Sequence, residues 1–402
     1  MRPVPDDLEA VDLTDPSTFI EHDQYAMWRR FRAERPVYRH AGDPGFWVLT
    51  RYADVKRVYR DDQNFTSERG NVLQTLLAGA DTGAGQMLVV TDGPRHTAIR
   101  KLILESFSPR ALQPVMDRLA ARTKSLLDEL IGAGTVDFAA QFADRVPIAT
   151  ICDLLGVPPS DHSLLLDLNK KALSSTDGGD FTDVSHNARI SILYYFAALA
   201  QDRRDEPRDD VVSALANTLV DGQPLSDQEV ALNSYSLMLG GDETSRLSMI
   251  GSIKAFHDFP DQWRALKDGS ASVASAVEEI LRFTSPAMAF GRRTLADVSI
   301  GGEQIAADSI VTLWNTAANR DESVFPDAER FLIGRTPNRH MALGYGPHFC
   351  LGAFLARAEL GAMLEVLRGG VSHIESCGPA KPIYSNALTG MSSLPASLAP
   401  AI

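Results

Sequence analysis

Cysteine is scarce in this 402-residue chain: only Cys152, Cys350 and Cys377 occur. An odd, sparse set without a C-x-x-C pair excludes a disulfide scaffold and offers no zinc or dithiol motif. In a reducing compartment these would be free thiols. Positive charge is also short, with 39 Lys+Arg against 52 Asp+Glu and a net charge of −13. Nucleic acid and anionic membranes need a basic face, so neither is expected as a partner. No stretch reaches the roughly 18 uncharged apolar residues of a membrane span. The acidic, proline-punctuated start lacks the basic and apolar regions of a signal peptide. A soluble, cytoplasmic protein is therefore expected. Long Pro/Gly/Ser linkers, repeats and low-complexity blocks are missing too. Length alone allows two or three domains at about 150 residues each. With nothing to divide the chain, one domain over residues 1–402 is expected, residues 1–15 being a loosely ordered tail.

What the chain does have is helical periodicity. Strand-like islands are short: residues 36–40 and 46–50, joined by an Asp-Pro-Gly turn as a hairpin, then 297–300 and 309–314. Residues 78–85 and 174–180 read as loops. The fold class is mainly α with a minor β portion. One long helix is predicted from a capping box at Ser226–Glu229 to about Phe256, spanning roughly 45 Å. Gly240 and Gly241 sit in its middle, where each costs about 1 kcal/mol relative to alanine.

Cys350 is set apart by its neighbours. Gly344, Gly346, Pro347 and Gly352 surround it, and a helical pattern follows until Gly369-Gly370. A cysteine at a helix mouth is favoured as thiolate by free N–H groups and the helix dipole. Glycines let the backbone approach a flat ligand. A thiolate presented from a glycine loop is what an axial ligand to haem iron requires.

The stretch from Gly344 to Gly352, GYGPHFCLG, resembles the haem-binding loop of cytochrome P450 enzymes, G-x-G-x-H-x-C-x-G. One departure is Leu343, where the family usually has phenylalanine; thiolate hydrogen bonding and reduction potential would shift with it. The resemblance implies the P450 fold, with the long helix crossing the distal face of haem b (iron protoporphyrin IX) held by Cys350. Glu279 and Arg282 are similar to the family's E-x-x-R, a structural support. His96 and Arg100 match its H-x-x-x-R and are implied to meet the haem propionates; from the residues alone a solvated helix face is an equal reading. Arg292, or Arg293 in the other register, and His348 would complete that set. Gly240-Gly241-Asp242-Glu243-Thr244-Ser245 resembles [AG]-G-x-[DE]-T-[TS]: both glycines leave room for dioxygen, Thr244 hydrogen-bonds it, and Glu243 relays protons.

The resemblance runs from about residue 15 onward. It implies a monooxygenase, a monomer, that inserts one oxygen atom into a mid-sized hydrophobic substrate by hydroxylation or epoxidation. A natural-product intermediate is expected, free or bound to a carrier protein. Val89, Leu237, Ala287, Phe290 and Leu388 are candidate pocket residues. The chain is too short to include a flavin reductase, so electrons would come from a ferredoxin or flavodoxin with its reductase. Arg335, Arg339, His340 and Arg357 are candidates for its docking patch, or else a mixture of haem contacts and surface charge. The alternatives are an oxidative-coupling or peroxide-driven haem-thiolate enzyme, or a haem-binding recruitment module without turnover.

Overall fold

A computed structural model describes residues 2–107, 109–173 and 183–401. The loop expected at 174–180 lies outside the described residues. The main helices are α1 (Gln24–Glu34), α2 (Gly93–Glu105), α3 (Pro109–Leu130), α4 (Val146–Leu155), α5 (His162–Leu173), α6 (Asp183–Asp205), α7 (Asp227–Asp258), α8 (Val273–Thr284) and α9 (Ala353–Gly370). The strands that organise the rest are β1 (Val37–His40), β2 (Phe46–Leu49), β3 (Phe65–Thr66), β4 (Thr135–Asp137), β5 (Ala289–Thr294), β6 (Ile310–Trp314), β7 (Val371–Ser376) and β8 (Pro395–Pro400). The architecture is mainly α with minor β, as the sequence implies.

The long helix α7 starts where the sequence places it. The Ser226 side chain accepts the Glu229 N–H, and the Glu229 carboxylate accepts the Ser226 N–H, so two end groups satisfy each other. The helix runs unbroken through Gly240-Gly241 for 32 residues. Its N-terminal half, through Val230, Ala231 and Met238, packs among α4, α5 and α6. Its C-terminal half, through Met249, Ile250 and Ile253, packs among α3, α8 and α9. Between these apolar stretches lie Asp242 to Ser245. The polar segment thus falls where the helix passes from one core to the other.

A five-stranded sheet has the order β1-β2-β6-β5-β3. The expected hairpin forms, with Val37 opposite Leu49 and His40 opposite Phe46. Residues 289–294, outside the strand islands expected from the sequence, form β5, paired antiparallel with β6. A second sheet, β7-β8-β4, was not foreseen. The N-terminal segment also departs from expectation. Leu8, Val11 and Leu13 are buried with Trp28, Phe31 and Trp314, so this stretch is packed rather than loose.

Candidate functional site

The loop before α9 is shaped by its glycines. Gly344 and Gly346 take φ of 68° and 72°, a region costly for other residues. A Cβ on Gly346 would come within 2.2 Å of the Tyr59 carbonyl oxygen. Gly352 is less constrained: its φ is −81°, and a Cβ there would meet nothing within 4 Å. Cys350 donates its N–H to the Leu343 carbonyl at 2.9 Å, three residues ahead of the first helical residue. Its side chain is half-buried, whereas Cys152 is buried and Cys377 exposed. Burial pushes the Cys350 thiol up; the Gly352 N–H, Arg100 and Arg357 oppose it without winning. A coordinated metal ion deprotonates such a thiol outright.

Cationic side chains gather beside this loop. The rings of His96 and His348 lie 4.3 Å apart. His348 Nε2 is 2.7 Å from an Asp92 oxygen. Burial would raise the Asp92 carboxyl, but hydrogen bonds from His348, Thr66 and Ser67 hold it well below the usual range. Burial, with the charges of His348, Arg100 and Arg292, pushes His96 down to about 4. His96 Nε2 is buried without a hydrogen-bond partner. Arg100 donates to the Phe349 carbonyl at 2.7 Å. Arg292 is buried, donates to the Gly291 carbonyl, and lies 5.6 Å from the centre of the Tyr59 ring. Arg293, on the opposite face of β5, pairs with Asp308 at 3.1 Å. Among the described residues no carboxylate is within ion-pair distance of Arg100 or Arg292. An open cleft of about 660 Å³ is lined by His96, Arg100, Gly346 and Pro347 among others. The unanswered cations, the orphaned imidazole nitrogen and the side-chain-free backbone fit a flat ligand carrying carboxylates, as haem does.

Across the site, the Thr244 hydroxyl donates to the Gly240 carbonyl at 2.9 Å. Gly240 has open space where a side chain would be, but a Cβ on Gly241 would press Ile151 of α4 at 3.1 Å. Gly241 therefore serves helix packing, a correction to its expected part in leaving room for dioxygen. Glu243 is buried and gripped by Arg246 through both oxygens. Arg246 also meets Asp144 at 3.4 Å, and Asp144 meets the half-exposed Lys170 at 2.6 Å. Two further acids escaped the sequence reading. Asp242, beside Asn169, is pushed up to about 7 by burial and then by Glu243. Glu359, near Ser245 and Thr150, is pushed up to about 8, chiefly by burial. The available signal was an acid within an apolar helical run.

Glu279 and Arg282 are fully buried and joined twice at 2.8 Å. Arg335, Asn338 and the Leu332 N–H also donate to Glu279. Arg282 donates to the carbonyls of Asn319, Ala328 and Arg330. Glu278 takes His340 and Arg357. The expected docking patch is thus largely used internally: Arg335 and His340 side chains are buried, and of the four only Arg339 is an exposed residue.

The candidate pocket residues fall on two sides. Ala287 and Leu388 are bridged backbone to backbone, although about 100 positions separate them. Phe290 lines a narrow crevice with Leu73 and Trp314. Val89 follows Leu88, whose N–H is held by Asn233 of α7. Leu237, one helical turn beyond Asn233, is half-buried against the α4–α6 core. Asn233 was also missed by sequence reading.

The sequence model of a family described as "Cytochrome P450" matches residues 273–367. The chain is 43% identical to cytochrome P450 NovI of Streptomyces niveus over 394 residues, 97% of each protein. It is 30% identical to linalool 8-monooxygenase of Pseudomonas putida, over 98% of this chain and 100% of that one. A crystal structure of P450 OxyD, which is involved in the biosynthesis of vancomycin-type antibiotics, superposes with a TM-score of 0.88 at 34% identity, covering 98% of this chain and 100% of the other.

Proposed function

The chain belongs to the cytochrome P450 family of oxidoreductases, and from that premise we propose a haem b monooxygenase in one domain, with Cys350 as the iron ligand. The observation that carries this assignment is the convergence of His96, Arg100 and Arg292 beside Cys350 with no carboxylate of their own. Asp92, whose charge is felt by His96 and Arg292, is taken by His348. The two arginines would fork onto propionate oxygens. His96, neutral near pH 7, would donate its ring N–H, and Gly352, with open space where a side chain would be, would admit the ring edge.

When bound, haem supplies the redox iron at which dioxygen is reduced. The net reaction takes substrate C–H, dioxygen, two electrons and two protons to C–OH and water. Thr244 contributes a hydroxyl that can leave the Gly240 carbonyl and orient a proton toward the cavity. Glu243, the neighbouring acid, is joined through Arg246 and Asp144 to Lys170 at the surface. Asp242 and Glu359 hold protons near neutral pH. Positioned donors of this kind contribute about 10²–10⁴-fold to proton-transfer steps.

Apolar Val89, Leu237, Ala287, Phe290 and Leu388 suit a mid-sized hydrophobic substrate. The recorded role of OxyD supports a natural-product intermediate, and ferredoxin or flavodoxin is the proposed electron source. The test is the ferrous–carbonyl spectrum. The protein should show the red-shifted Soret band of thiolate ligation, and Cys350→Ser should lose it. A wild-type spectrum without that band would overturn the assignment. Turnover with a surrogate ferredoxin system and a substrate panel, free and carrier-bound, then identifies the substrate.

A further inference from the structure

Asn233 lies on α7 in the stripe Glu229, Asn233, Leu237, Gly240 and Thr244, whose spacing of three and four puts all five on one helix face. It is 1% exposed, and its amide has three partners. Oδ1 accepts the Leu88 N–H at 2.8 Å. Nδ2 donates to the Gln86 carbonyl at 2.9 Å and the Glu229 carbonyl at 2.8 Å. Partners of both kinds fix the orientation of the amide, since a flipped group would set N–H against N–H and oxygen against oxygen. A side chain here does what a neighbouring strand does, capturing a loop through its backbone donor and acceptor.

The captured loop also closes on itself, the Gly85 N–H donating to the Val90 carbonyl at 3.0 Å and the Thr91 hydroxyl to the Met87 carbonyl at 2.8 Å, but these bonds do not tie it to α7. It follows Gly79, Gly83 and Gly85, and Gly79 and Gly85 have positive φ. A second tie is Arg95 of α2, which donates to the Gly85 carbonyl at 3.2 Å and pairs with Glu229 and Asp221. Glu229 also closes the capping box of α7. The start of α7 and the loop before Val89 are therefore one hydrogen-bonded unit. Leu88 is buried in the helical core, while Val89 remains half-buried.

We propose that Asn233 is a specificity-determining positioning residue: by holding Gln86 and Leu88 against the distal face of α7, it sets where Val89 stands and so the size of ligand admitted. This rests on the proposed reading that Val89 borders the substrate. Backbone capture is indifferent to the loop's side chains, so residues 86–90 can vary while the wall keeps its place.

The test uses the haem-loaded protein with Asn233→Leu, which removes all three bonds at similar volume, and Asn233→Asp, which keeps the acceptor for Leu88 but loses the donor to Gln86. Hydrogen exchange over residues 84–91 reads the tie itself. Asn233→Leu should exchange there about tenfold faster, with Asn233→Asp between it and wild type. Spectral titration with imidazole and 4-phenylimidazole reads the pocket. The ratio of their dissociation constants should change about fivefold or more in Asn233→Leu, with the ferrous–carbonyl band retained. Exchange unchanged in both variants overturns the proposal. So does faster exchange with an unchanged ratio, which would make the tie structural only. If Asn233→Leu does not fold, Asn233→Asp decides by the same two readings. Loss of the carbonyl band in wild type would instead indict the haem-thiolate assignment, so the two failures are distinguishable.

Discussion

Asp242 and Thr244 stand two residues apart on α7, and opposite physical demands fall on them. Burial, then Glu243, raises the Asp242 carboxyl to about 7, with Asn169 and Arg246 opposing and Asp144 adding to the rise. An unfolded carboxyl titrates near 4, so over the interval the native state holds a proton that the unfolded chain releases. The group's favourable contribution is therefore full below about pH 4 and lost as pH climbs through about 7. Asp242→Asn is expected to flatten the thermal midpoint across that range and to gain stability on the order of 2 kcal/mol at about pH 8. Thermal melts at several pH values check this, and an unchanged slope would assign the dependence to other groups. Thr244→Ala puts a good helix former in place but deletes the hydroxyl. Haem content should stay at the wild-type level while product formed per electron consumed falls at least about tenfold. Equal yields would remove Thr244 from proton handling.

At the scale of elements, the buried Glu279–Arg282 pair joins α8 to the chain around residues 319–335. Its worth lies in completeness: Glu279 answers two buried arginines. Glu279→Gln leaves those charges facing a neutral amide, and removing one partner of a buried ion pair costs about 3–5 kcal/mol. A urea midpoint lowered to match, with less haem-loaded protein, is the expected result. What the sequence showed at this scale was what local chemistry determines. The capping box of α7, the run of α9 to Gly370 and the β1–β2 hairpin each depend on a few adjacent residues. Strands β4, β7 and β8 are short and find their partners far along the chain, so no local period announces them. β5 was obscured because its residues 290–294, FGRRT, alternate toward a charged site rather than an apolar core. The Cys350 loop was legible for the same reason as the helices, since its glycine spacing is local. Asn233, Asp242 and Glu359 were not, because what distinguishes them is the company that tertiary packing supplies.

At the scale of the whole molecule, the N-terminal segment belongs to the core. Leu8, Val11 and Leu13 close over Trp28 and Trp314, and each such side chain is worth about 1.5–3 kcal/mol when buried. Removing residues 1–15 should lower the thermal midpoint of the haem-loaded protein by at least about 5 °C. An unchanged midpoint would show that the segment contributes no packing. The order in which these parts are made also matters. β8, residues 395–400, is the middle strand between β7 and β4. Leu394 reaches back to Asp137 across 257 residues, and its carbonyl accepts the Phe138 N–H. A ribosome adding about 5–20 residues per second takes about 13–50 s to cover that interval. Throughout it, Val136 and Phe138 have emerged without the strand that later covers them. The nascent chain thus carries an open apolar edge for most of its synthesis. Slower translation lengthens that exposure and faster translation shortens it.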